Sequence, residues 1–118
     1  MLYTNLKHIE SAADQAQIIS ENNHVVVICG RMGPMCIPIY RMAEELEGLY
    51  RHVKFYDMEY DNPESAVIRN LPEVCNFLEI PFTIYYKNGN VVKATSGLQT
   101  KAQVTAILDK EFASTVKA

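Results

Sequence analysis

Apolar residues recur with two different periods along this chain, and the alternation between them predicts the elements. Between Lys7 and Ser20 they fall at Ile9, Ala12, Ala13, Ala16 and Ile19, the spacing of a helix with one buried face. Asn22 and Asn23 break that pattern. Val25-Val26-Val27-Ile28-Cys29 is a continuous, mostly β-branched run, as expected of a strand covered on both faces. Gly30, Gly33 and Pro34 then force a loop. A helix follows, with Gly33 as its cap, Pro34 in its first turn, and Met42, Leu46 and Leu49 on its apolar face. Pro38 removes one backbone donor and should bend or loosen the first turn. Leu2–Leu6 reads as a short edge strand, and Val53–Met58 alternates as a strand does.

Asn62-Pro63 opens a further helix that Leu71-Pro72 interrupts, leaving a second short helical piece with Val74, Phe77 and Leu78. Phe82–Tyr86 and Val91–Ala94 read as strands joined by Lys87-Asn88-Gly89-Asn90, and Asn-Gly between apolar runs is a strong hairpin signal. Thr100 to Gln103 fits a capping box for a last helix that turns Val104, Ile107 and Leu108 inward. The order β–α–β–α–β–α–β–β–α predicts an α/β domain with a mixed sheet and helices on both faces.

Composition narrows the function classes. The 118 residues fit one domain, 1–118. Hydrophobic content of 48% with 21% charged residues excludes disorder for most of the chain. A net charge of −3 without a basic run argues against nucleic acid as a partner. The longest apolar stretch is too short to span a membrane, and Met1–Ser20 lacks the order of a secretory signal, so the expected setting is cytoplasmic. Three cysteines, Cys29, Cys36 and Cys75, are too few and odd in number for a disulfide framework. His8, His24 and His52 lie far apart in the chain and away from metal-ligand spacing with any cysteine, so neither a metal nor another cofactor is expected.

Two blocks resemble the thioredoxin family, and together they extend the likeness over nearly the whole chain. One is Ile80-Pro81-Phe82-Thr83-Ile84-Tyr85-Tyr86-Lys87-Asn88-Gly89-Asn90-Val91-Val92 with Gly97 after it, similar to the family's isoleucine and cis-proline, strand, Lys-Asn-Gly turn and second strand. The other runs from Val25 to Leu46 and sets Gly33-Pro34-Met35-Cys36 where the family has Cys-Gly-Pro-Cys. The resemblance implies a thioredoxin fold. The departures bear on function: Gly33 stands at the attacking cysteine, Met32 at the usual tryptophan and Val27 at the usual buried carboxylate. The family's helix proline comes later than Pro38, and the chain between Pro63 and Pro81 is several residues longer than usual.

Dithiol reduction needs one thiolate to attack a disulfide and a second thiol to resolve the mixed disulfide. Only Cys36 remains, at the resolving position, which the alignment puts about one turn into the helix. Val27 and Cys29 share a strand face, and Cys29 is the next inward side chain toward the helix start. A Cys29–Cys36 pair is therefore one reading; two small buried core residues, or Cys36 as a lone reactive thiol, are the others. Cys75 reads as a half-buried packing residue, or alternatively as the site of an intermolecular disulfide or a redox tag. In the family the loop before the cis-proline lies against the redox motif and pairs with extended substrate, which the resemblance implies for Ile80 and Pro81, with Met32, Gly33, Pro34, Met35, Ile37 and Gly97 around the groove. Asp57 and Glu59 read as solvated strand-end charges.

Two functions follow as expectations. One is atypical thiol–disulfide exchange or redox sensing through Cys36, with Cys29 as candidate partner, acting on protein or peptide thiols and disulfides and supplied by a reductase or small thiol. The other is a redox-inactive module that binds an extended peptide. Whether the chain is an enzyme is left open between them.

Overall fold

The computed structural model describes residues 2–113. Its centre is strand β2 (His24–Gly30), the β-branched run, with Val25 to Gly30 all buried. Strands β1 (Lys7–Ile9), β3 (Lys54–Glu59), β4 (Phe82–Lys87) and β5 (Asn90–Ser96) complete a five-stranded sheet in the order β1-β3-β2-β4-β5. β1, β3 and β2 run parallel, while β4 and β5 are antiparallel additions, so the sheet is mixed. Asn88 and Gly89, at φ 52° and 83°, form the two-residue turn of the β4–β5 hairpin.

Alternation along β2 divides the interior in two. Val26 and Ile28 face helices α2 (Ile37–Leu49) and α4 (Lys101–Glu111), in a core with Leu2, Leu6, Tyr40, Leu46, Phe55, Tyr85, Leu108 and Phe112. Val25, Val27 and Cys29 face the other way, toward Met58, Ile84, Ile68 of α3 (Ala66–Arg69) and, at the margin, Ile18 and Ile19 of α1 (Ala12–Glu21). Helices thus cover both faces. No helix among the described residues is long and apolar enough to cross a membrane.

Several local expectations are corrected. The edge strand is Lys7–Ile9, not Leu2–Leu6; Leu2 and Leu6 instead tuck into the α2 and α4 core. On α1 the buried residue is Gln15, whose Nε2 donates to the Tyr86 hydroxyl at 3.0 Å, while Ala13 and Ala16 are exposed. On α2 the buried face is Ile39, Tyr40, Ala43 and Leu46; Met42 is half-buried and Leu49 exposed. After Asn62 caps a short 3₁₀ turn and α3, the expected second helical piece is a set of turns, with Leu78 exposed. Pro72 prevents continuation there, and the chain closes only local bonds such as Cys75 N–H to the Leu71 carbonyl. The capping box of α4 forms as expected, Thr100 and Gln103 satisfying each other's backbone N–H.

Candidate functional site

The loop 31–36 leaves the C-terminal end of β2 and enters α2. The Gly33 carbonyl accepts from the N–H groups of Cys36 and Ile37, each at 3.0 Å, so a turn forms over Pro34 and Met35. Pro38 has no N–H to offer Pro34, and that turn stays separate from the regular helix, which starts at Ile37. Cys36 therefore caps α2 rather than sitting one turn inside it. Its side chain is buried, and Sγ accepts from the Arg31 backbone N–H at 3.4 Å. A Cβ placed on Gly33 would meet nothing within 4 Å, so the seat expected for an attacking sulfur is open and empty of one.

The strand position against Cys36 is Gly30. A Cβ there would lie 2.9 Å from Cys36 Sγ, 2.7 Å from the Tyr40 hydroxyl and 3.2 Å from Pro81 Cβ. The Tyr40 hydroxyl donates to the Arg31 carbonyl at 3.1 Å. Cys29, in contrast, packs in the opposite core with Val27, while Cys36 packs with Val26 and Ile28. Of the readings left open by the sequence, a Cys29–Cys36 pair is not formed: both are free thiols, buried in the cores on opposite sides of the sheet. Burial pushes the Cys29 thiol up to about 12, and the nearby Arg69 charge offsets only part of that rise. Cys75 is exposed rather than half-buried.

Across from the loop, the Ile80–Pro81 peptide is cis, Pro81 is buried, and its carbonyl accepts from the N–H of Gly97, which has φ 74°. Gly33, Pro34, Met35, Cys36 and Ile80, with Arg31 and Glu79, line a groove of about 450 Å³. Among the described residues, nothing pairs with the backbone N–H or carbonyl of Ile80. Met32 and Ile37, expected on this groove, line a different hollow with Tyr3, and Met32 Sδ accepts the Tyr3 N–H at 3.4 Å.

Sequence reasoning missed two polar arrangements. Asp57 is fully buried, not solvated: Thr4 Oγ1 donates to its Oδ2 at 2.5 Å and His8 Nδ1 lies 2.6 Å from its Oδ1. Desolvation raises its pKa from the ordinary aspartate value, against the lowering effects of the Thr4 and His8 hydrogen bonds. His24 and His52, distant in sequence, meet edge to face with ring centroids 5.8 Å apart. Among the described residues no group of acids, cysteines and histidines is arranged to hold a metal.

No protein-family model and no curated protein matches the sequence. Solved structures do match. A thioredoxin from Plasmodium falciparum aligns with 90% of this chain and 99% of its own, at 25% identity and a TM-score of 0.74. The thioredoxin of Fasciola hepatica aligns with 89% of this chain and 98% of its own, at 20% identity and a TM-score of 0.74. A mutant thioredoxin from Halobacterium salinarum aligns with 99% of this chain and 100% of its own, at 12% identity and a TM-score of 0.76. The last two, at lower identity, speak to the fold alone. Sheet order, helix placement and these matches agree, and the chain is thioredoxin-like.

Proposed function

We propose that this chain is a thioredoxin-fold module that binds an extended polypeptide in the groove beside Ile80 and does not run a dithiol reaction. The observation that carries this reading is an Ile80 backbone with no partner among the described residues beside an apolar groove lined by Gly33, which the resemblance sets at the attacking-sulfur position. An extended segment laid along Ile80 gains main-chain hydrogen bonds as an added strand does, and Met35, Pro34 and Ile80 offer it apolar contact. Cys36 then serves as a small packed residue that holds the loop through the Arg31 N–H. The residues proposed for contact are Gly33, Pro34, Met35 and Ile80, with Pro81 and Gly97 shaping the floor.

One observation favours a second reading. Cys36 lines the same groove, and its sulfur accepts the Arg31 backbone N–H there. In that reading Cys36 attacks a protein or peptide disulfide, forms a mixed disulfide and expels one substrate thiolate; a first donor thiol, from a reductase-like protein or a small thiol, attacks the Cys36 sulfur and expels the second substrate thiolate, and a second donor thiol frees Cys36 and leaves the donor as a disulfide. Such donors would be expected in a cytoplasmic setting.

Reduction of insulin disulfides by dithiothreitol, with and without the protein, separates the two. Under the binding reading the protein does not accelerate the reaction, and Cys36→Ser behaves as the parent does. Acceleration that disappears in Cys36→Ser would overturn it in favour of the single-thiol reading.

A further inference from the structure

The groove has a charge asymmetry that its apolar lining conceals. Two charged residues stand at its rim, Arg31 and Glu79. Arg31 is already matched: Nε and Nη2 each lie 2.8 Å from an oxygen of Asp61, and the guanidinium carbon sits 5.0 Å from the centre of the Tyr60 ring. Glu79 has no hydrogen-bond or ion-pair partner among the described residues. Its position is nevertheless defined, because Oε2 lies 2.7 Å from where a Cβ of Gly97 would be. The carboxylate therefore rests over Gly97, on the residue next to Ile80, and a side chain at residue 97 would displace it.

Resting on the groove reading above, we propose that the peptide this site takes carries a lysine or arginine beside the apolar residue that pairs with Ile80, and that Glu79 selects it. The geometry gives the reason. Successive residues of an extended segment are about 3.3 Å apart. A segment in register with Ile80 thus brings a neighbouring side chain to Glu79, where the unmatched carboxylate favours a cation and disfavours an anion. Because Glu79 is exposed, the contribution is that of a screened surface pair, a preference on the order of fivefold at low salt that fades as salt rises.

The test is a titration of ¹⁵N-labelled protein with two blocked peptides, Gly-Ser-Val-Ile-Lys-Ser-Gly and its counterpart with Glu in place of Lys, followed at the Ile80 amide. The lysine peptide should bind about fivefold tighter, and Glu79→Gln should bring the two affinities together. Equal affinities in the parent, or a preference that survives Glu79→Gln, would overturn the selection by Glu79 and leave the groove intact. No perturbation at Ile80 with either peptide would overturn the groove reading beneath it.

Discussion

Gly30 and Cys36 are packed so closely that the cysteine sulfur occupies the space a side chain at residue 30 would need. A Cβ at that position would come within 2.9 Å of Sγ, and the Tyr40 hydroxyl and Pro81 Cβ close the remaining sides. The end of β2, the start of α2 and the cis-proline loop meet at this one glycine. It sets how near the loop 31–36 can lie to Ile80, and so how wide the groove is.

Gly30→Ala is therefore expected to lower stability by about 1–3 kcal/mol, the usual penalty of overfilling a packed site. Chemical denaturation reads it directly. Combining it with Tyr40→Phe, which removes the nearest obstructing atom, should recover part of the loss. Full parental stability in Gly30→Ala alone would mean that the loop shifts freely, and the groove would then lack a fixed width.

The three cysteines should differ sharply in reactivity. Cys75 is exposed, whereas Cys36 and Cys29 are buried and belong to opposite cores. With its thiol pushed up to about 12, Cys29 is ionised in roughly one molecule in 10,000 at pH 8. Brief iodoacetamide treatment followed by intact mass should give one adduct on the folded protein, mapped to Cys75, and three after unfolding. Mild oxidation should leave Cys29 and Cys36 unlinked, since each would have to cross the plane of the sheet to reach the other. A mass two hydrogens lighter that maps to this pair would contradict the placement.

The order of elements was legible where local signals were strong, as in the β-branched run Val25–Cys29 and the Asn88-Gly89 hairpin, and less so at the edge strand and after Pro72, where they were weak. The candidate groove was legible in part, through Gly33, Pro34, Met35 and Ile80. The facing of Cys29 was not. Alternation puts Val27 and Cys29 on one face of β2, but it does not say to which face the following loop returns Cys36. Long-range polar partners were invisible for a similar reason. Thr4 and Asp57 are 53 residues apart, and only the parallel pairing of β1 with β3, His8 against Asp57, brings them together. The burial of Gln15 was not legible either, because a polar residue on a buried helix face is acceptable only with a partner, here the Tyr86 hydroxyl 71 residues away.

Tyr85 offers a gain in stability. It is fully buried between β2 and β5, its ring 6.2 Å from that of Phe112, and its hydroxyl has no hydrogen-bond partner among the described residues. The folded state carries the cost of stripping water from that oxygen without replacing it. Tyr85→Phe keeps the ring and removes the cost, so stability should rise by about 1 kcal/mol. A loss of similar size in thermal or chemical unfolding would show that the hydroxyl is satisfied.

Asp57 should give the protein a pH dependence opposite to that of an ordinary salt-bridged carboxylate. Folding strips its carboxyl of water, which favours the neutral acid and raises its pKa above the ordinary value of 3.8. The hydrogen bonds from Thr4 and His8 oppose that shift without cancelling it. For a carboxyl whose pKa is higher in the folded than in the unfolded chain, the folded state holds the extra proton. Its contribution is then fully present below about 3.8 and is lost as pH rises through the raised folded value. Asp57→Asn cannot ionise and so lacks this loss. The melting temperature of the parent minus that of Asp57→Asn should therefore fall as pH is raised from about 4 to about 7, whatever the other carboxylates do to both proteins. A difference that grows over the same range would mean that Thr4 and His8 stabilise the charge by more than burial disfavours it.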